Sequence, residues 1–174
     1  VELPSAARSR GADVACDYNA KLNQGLTVKG CLQIYDITQE QLAQHANTLD
    51  PTVLKRCRHV VTENQRAFET VEALRLGDLA RAGALMNASH VSLRDDYKVS
   101  CPELDAMVEA AWDQPGVWGA RMTGAGFGGC TVNLVQTEAV EGFVQKVAAR
   151  YRERTGLKDS IYVCSAEEGV RLLS

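Results

Sequence analysis

Residues 117–135 read VWGARMTGAGFGGCTVNLV, and the order of residue types within them decides the fold class. Val117 to Met122 and Cys130 to Val135 are short runs rich in β-branched and apolar residues, the pattern of strands. Between them lies TGAGFGG. Residues 116–129 hold six of the chain's 14 glycines. Each ordered glycine costs roughly 0.5–1 kcal/mol relative to alanine, so a cluster of this size needs a geometric reason. One reason is a backbone at positive φ, or one that must come close to a ligand. Successive N–H groups in such a loop form a concave nest for anions. The plainer reading is a hairpin turn, which needs only one or two glycines.

Two familiar phosphate-binding patterns do not fit. A P-loop closes on Gly-Lys-Ser/Thr, whereas Gly128 and Gly129 lead into Cys130. Gly124, Gly126 and Gly129 have dinucleotide-fingerprint spacing, but that fingerprint opens a helix, and here CTVNLV follows.

Helical periods flank the glycine segment on both sides. Residues 51–76 carry apolar side chains at Val53, Leu54, Cys57, Val60, Val61, Phe68, Val71 and Leu74, which predicts one long helix with that stripe inward. Asp50 is its expected cap, Pro51 suits its first turn, and Gly77 its left-handed end. A second helix is expected from Asp78 to about Val91, closing a helical hairpin, with Leu79, Ala82, Leu85, Met86 and Ser89 on one side. A third spans 100–113, with Ser100 and Glu103 at capping-box spacing. A fourth is expected to be capped by Thr137 and to end at Gly156, with Val140, Phe143, Val144, Val147, Ala148 and Tyr151 inward. Thr38 suits the cap of a short helix before these. Further strands are expected at 28–37 and at Ile161 to Cys164. The sum is an α+β fold: helices packed on one face of a small, mainly antiparallel sheet.

Composition narrows the partners. The 174 residues are 45% hydrophobic and 24% charged, with a net charge of −3, which fits a globular domain with a sizeable core. There is no basic excess for nucleic acid or an anionic membrane, and no apolar run of membrane-spanning length. The amino-terminal VELPSAARSR lacks the apolar core of a signal peptide. Six widely spaced cysteines without a C-x-x-C pair read as reduced, mostly buried thiols, and a cytoplasmic location is expected.

Together these segments resemble the galactokinases, of the GHMP small-molecule kinase superfamily. GARMTGAGFGGCTVNLV (Gly119 to Val135) resembles that superfamily's third motif. LDPTVLKRCRHVVTENQRA (Leu49 to Ala67), SHVSLRDDYKVSCPELD (Ser89 to Asp105) and SIYVCSAEEG (Ser160 to Gly169) agree with it in the expected order. The resemblance covers residues 36–174 and implies a GHMP-kinase C-terminal domain there. Residues 1–35 match poorly, although Asp17-Tyr18-Asn19 echoes a tripeptide whose tyrosine lies near the sugar in these kinases. No Gly-Leu-x-Ser-Ser stretch occurs, and the family's catalytic Asp and Arg belong to an N-terminal half.

The resemblance therefore implies the C-terminal part of a sugar kinase that moves the γ-phosphate of MgATP to galactose. This chain would be inactive, or nearly so, without the N-terminal kinase domain as partner. The implied nucleotide-proximal residues are Thr123, Gly124, Ala125, Gly126, Phe127, Gly128 and Gly129. The implied sugar contact is Tyr18, an exposed loop tyrosine on the alternative reading. No catalytic residue and no magnesium ligand is assigned within the chain. Arg94, Asp95 and Asp96 invite a catalytic role but read better as an ion-pair cluster. His59 and His90 read as helix residues and His45 carries no signal. A galactokinase-like sugar sensor without turnover, and a dimerisation domain, remain as rival readings.

Overall fold

The computed structural model describes Ile34 and residues 37–166. Helix α1 (Gln39–Gln44) starts in a full capping box. Gln41 N–H donates to Thr38 Oγ1, and the Gln41 side chain accepts from Thr38 N–H. Helix α2 (Pro51–Arg75) begins where Asp50 accepts from the N–H groups of Thr52 and Val53, with Pro51 in the first turn. Gly77, at φ 70°, turns the chain into helix α3 (Leu79–Ser92), capped by Asp78. A π-type bend over Leu93–Tyr97 ends at Lys98 in the left-handed region. Helix α4 (Pro102–Trp112), strand β1 (Val117–Thr123), strand β2 (Cys130–Val135) and helix α5 (Val140–Thr155) follow. Among the described residues β1 and β2 make a two-stranded antiparallel sheet, in register from Gly119 opposite Leu134 to Thr123 opposite Cys130. Helices α3 and α4 pack against β1, α5 packs on α4, and α2 packs on α3, the α+β arrangement expected.

Three apolar clusters hold these elements. Ile34, Ile37, Leu42, Val53, Cys57 and Val61 join α1 to α2. Val108, Ala110, Ala111, Ala120, Phe143 and Val147 join α4, β1 and α5. Val99, Leu104 and Met122 lie together where β1 ends.

Helix α3 meets β1 backbone to backbone. A Cβ on Gly83 would stand 2.1 Å from the Trp118 carbonyl oxygen, and one on Gly119 would stand 2.2 Å from the Gly83 carbonyl oxygen. Glycine at both positions is what permits the approach. Further along the same contact, the Asn87 side-chain oxygen accepts Ala120 N–H at 2.8 Å, and His90 Nδ1 accepts Met122 N–H at 3.2 Å. The indole of Trp112, on α4, donates to the Ala120 carbonyl at 3.1 Å. Side chains thus satisfy the edge of β1 that β2 leaves open, a solution to the exposed-edge problem that needs no third strand.

Several sequence expectations are corrected. Ile161 to Cys164 is not a strand: Ile161 packs on the α4–α5 cluster, while Tyr162 and Val163 are exposed. The β1 edge is already occupied by Asn87 and His90, so it offers no ladder to join. The expected strand at 28–37 falls largely outside the described residues, and Ile34 stands in a 3₁₀ turn. Helix α4 is capped at Cys101, not Ser100, because a residue before proline is driven out of the helical region, and Cys101 precedes Pro102 at ψ 165°. Thr137 does not cap α5; it opens a 3₁₀ turn, Thr137–Ala139, that runs into the helix. The stripe on α2 is buried only in its first part. Phe68, Val71 and Leu74 are exposed, and the small Ala73 is fully buried instead, on the helix that packs against α3.

Candidate functional site

The segment Gly124 to Gly129 connects β1 to β2, so it is a hairpin loop, and it is far more distorted than a turn requires. Gly124, Gly126, Gly128 and Gly129 stand at φ 85°, 83°, 119° and 109°, and Phe127 between them at φ 58°. A large residue in the left-handed region is strained by roughly 1–2 kcal/mol. The Phe127 side chain is 71% exposed. Thr123, Gly124, Ala125 and Gly129 are exposed as well, and Gly126 and Gly128 are half-buried. No atom lies within 4 Å of where a Cβ would stand on Gly124 or Gly128, so the backbone there is open to approach. All seven residues expected to lie near nucleotide, Thr123 to Gly129, therefore form one accessible, glycine-lined surface.

The loop is held from below. Phe127 N–H donates to the Val99 carbonyl at 2.8 Å. A Cβ on Gly126 would stand 2.2 Å from that same oxygen. Val99 is in turn fixed by its own N–H, which donates to the Leu93 carbonyl at 3.1 Å. The galactokinase-like stretch 89–105 and the glycine loop, separate in sequence, are thus one structural unit.

A charged and polar network links α2, α3, the 93–97 bend and β1. Glu63 Oε1 accepts from Ser89 Oγ at 2.5 Å, Glu63 Oε2 accepts from Arg66 Nε at 2.8 Å, and Arg121 Nη1 stands 3.6 Å from Glu63. Burial tends to raise the Glu63 pKa, but the Ser89 and Arg66 hydrogen bonds outweigh it and hold the carboxyl below its usual range. Asp96 pairs with Arg58 at 3.2 Å and accepts from Ser92 Oγ at 3.3 Å, and Arg56 donates to the Asp96 carbonyl. Arg94 forks onto Asp95 and reaches Glu109. The three residues of the RDD segment are thus engaged in ion pairs around the 93–97 bend.

The two helix histidines are buried and neutral. His59 stacks on Tyr97 with ring centroids 4.5 Å apart, and its Nδ1 lies 3.0 Å from Ser92 Oγ. Burial pushes its pKa down to about 4, with Glu63 and Asp96 opposing and Arg66 and Arg121 assisting. Burial likewise lowers His90, against the pull of Asp105. His45 lies at the end of α1. Tyr18 falls outside the described residues. Among the described residues no three His, Cys, Asp or Glu side chains converge as a metal site. No described helix is long and apolar enough to cross a membrane. Asn87 and Asp105 were not singled out from the sequence, and His90 was read only as a helix residue. The available signal was the Gly83, Asn87, His90 spacing, one helix face that meets β1.

Residues 70–153 match the family model described as "GHMP kinases C terminal". The fold over those residues, with its glycine loop between two antiparallel strands, matches that of a GHMP-kinase C-terminal domain. Within that class the chain is similar to galactokinases. It is 48% identical over 141 residues to that of Roseiflexus sp., covering 81% of this chain and 36% of the relative. It is 45% identical over 153 residues to that of Bacillus subtilis, covering 87% of this chain and 38% of the relative. Its fold matches the crystal structure of Lactococcus lactis galactokinase complexed with galactose, with a TM-score of 0.82 and 36% identity, over 92% of this chain and 42% of that one. The chain spans about two fifths of the length of the galactokinases it matches.

Proposed function

We propose that this chain is the C-terminal part of a galactokinase-like sugar kinase, and that Thr123–Gly129 borders the phosphate end of its active site. The observation that carries this is the loop itself: a glycine-lined backbone open to solvent, strained at Phe127 and clamped to Val99. Similarity to galactokinases at 45–48% identity supports it.

In the proposed reaction the anomeric hydroxyl of galactose attacks the γ-phosphorus of ATP. The new C–O–P linkage forms, the bond to the ADP oxygen breaks, and the hydroxyl proton passes to a base. That base, most sugar contacts and any magnesium ligands belong to an N-terminal kinase domain that pairs with this one. Tyr18 adds a sugar contact, residues 1–35 lead into the 36–174 domain, and the reaction runs in the cytoplasm. Phosphoryl transfer rests on positioning and on neutralising charge, and this domain's share is positioning. Small residues let the backbone of Gly124 to Gly129 come up against phosphate oxygens, and the bond to Val99 keeps it from retreating.

A coupled optical assay of ADP release from MgATP and galactose tests the proposal. The chain alone should be silent. Residues 36–174 joined to the N-terminal portion of Bacillus subtilis galactokinase should turn over at roughly 1–100 per second. Turnover at that rate by the chain alone would overturn the division of labour. A folded joined protein that binds galactose without turnover would overturn the positioning role of this domain's loop.

A further inference from the structure

His90 is 0% exposed, yet it is not simply core. Its Nδ1 accepts Met122 N–H, so Nδ1 carries no proton and the neutral ring keeps its proton on Nε2. That Nε2 faces Asp105 Oδ1 at 3.3 Å, without the alignment of a full hydrogen bond. Asp105 Oδ1 accepts Ser100 Oγ–H at 2.5 Å. Ser100 follows Val99, whose carbonyl accepts Phe127 N–H. The contacts close a circuit. Met122, one residue before the loop segment begins at Thr123, connects through His90, Asp105, Ser100 and Val99 to Phe127 at the centre of the loop.

A buried imidazole and a partly buried carboxylate cost desolvation that leucine or methionine would not incur. Neither occupies the glycine-lined surface. What the pair does hold constant is the distance between the exit of β1 and the Val99 carbonyl on which the loop rests. The β1–β2 ladder cannot do this, because it ends at Thr123 opposite Cys130 and pairs none of Gly124 to Gly129.

We propose that His90, Asp105 and Ser100 form a strut that sets the height of the glycine loop, making them positioning residues for phosphoryl transfer. The mechanical part stands on the geometry alone. Its bearing on catalysis rests on the reading of Thr123–Gly129 as the phosphate end.

The test is residue-resolved amide hydrogen exchange on the full 174-residue chain. Ser100 is partly exposed, so Ser100→Ala opens no buried cavity and is the main variant, with Asp105→Ala beside it. Each should speed exchange at the Phe127 amide about tenfold, the worth of one hydrogen bond, while the core amide of Val147 stays unchanged. Asp105→Asn keeps an oxygen that accepts from Ser100 and faces His90 Nε2, and should restore protection. The Ser100→Ala and Asp105→Ala pair should show no more than either alone, because both cut the same chain.

Unchanged exchange at Phe127, or exchange rising only in step with Val147, would overturn the strut, as would additive effects in the double variant. In the joined kinase, Ser100→Ala should lower kcat with little change in the KM for galactose. Faster exchange at Phe127 with an unchanged kcat would leave the strut intact and remove the phosphate-end reading instead.

Discussion

Gly126 is where the candidate site and its support meet most tightly, and its replacement by alanine separates loop geometry from stability. Two costs arise. The residue stands at φ 83°, where an L side chain is strained by roughly 1–2 kcal/mol. The new Cβ would also lie 2.2 Å from the Val99 carbonyl oxygen and 2.9 Å from the Val99 Cβ. Val99 cannot yield, because its N–H is tied to Leu93 and its side chain is buried with Leu104 and Met122. The loop must lift instead, which breaks the Phe127 to Val99 hydrogen bond. Lifting relieves the clash and part of the strain. The loss in global stability is therefore limited to about 1 kcal/mol, the net worth of that bond. Displacing the loop by about 1 Å is far more damaging to phosphoryl transfer, where such a shift costs up to about a hundredfold in rate.

Gly124→Ala is the matched control: similar φ, but open space where the methyl would go. The assay is urea unfolding of both variants, paired with turnover in the joined kinase. Gly126→Ala should lose about 1 kcal/mol and tenfold or more in kcat. Gly124→Ala should keep the Phe127 amide protected and more of its turnover. Equal turnover in the two variants, or equal fractional losses of stability and rate in Gly126→Ala, would refute the reasoning.

Acid should unfold this protein partly through His59. The folded chain holds it neutral down to about pH 4, whereas the unfolded chain takes a proton near 6.5. Between those values the unfolded state binds more protons. Stability is therefore complete above pH 6.5 and falls by up to about 3 kcal/mol towards pH 4. Urea titrations across that range should show the slope, and a folded His59→Gln variant should flatten it. Gly119→Ala should cost about 3 kcal/mol or more in urea unfolding, since its methyl would meet the Gly83 backbone at 2.2 Å and prise α3 from β1. Asp50→Ala should cost about 1 kcal/mol by thermal unfolding, because two N–H groups of the first turn of α2 lose their acceptor.

Local chemistry made much of this molecule readable from its residues. Asp50 and Pro51 start α2, Gly77 and Gly156 end helices at φ 70°, and the strands fall at 117–123 and 130–135 because these signals act within one or two turns of chain. The glycine loop was legible for the same reason: so many unrestricted residues together imply a backbone that other residues cannot adopt. Where a decision needed a distant surface, the sequence ran out. The periodic stripe of α2 could not disclose that Ala73 would be buried and Phe68 left exposed. The apolar run at 161–164 could not disclose that Asn87 and His90 already occupied the edge of β1. Nor could 89–105 disclose that its Val99 carbonyl, 28 residues from Phe127, is what the loop rests on. Caps and periods are properties of neighbours along the chain. Which faces meet, and which buried polar atoms find one another, is settled only when helices and strands compete for the same surfaces.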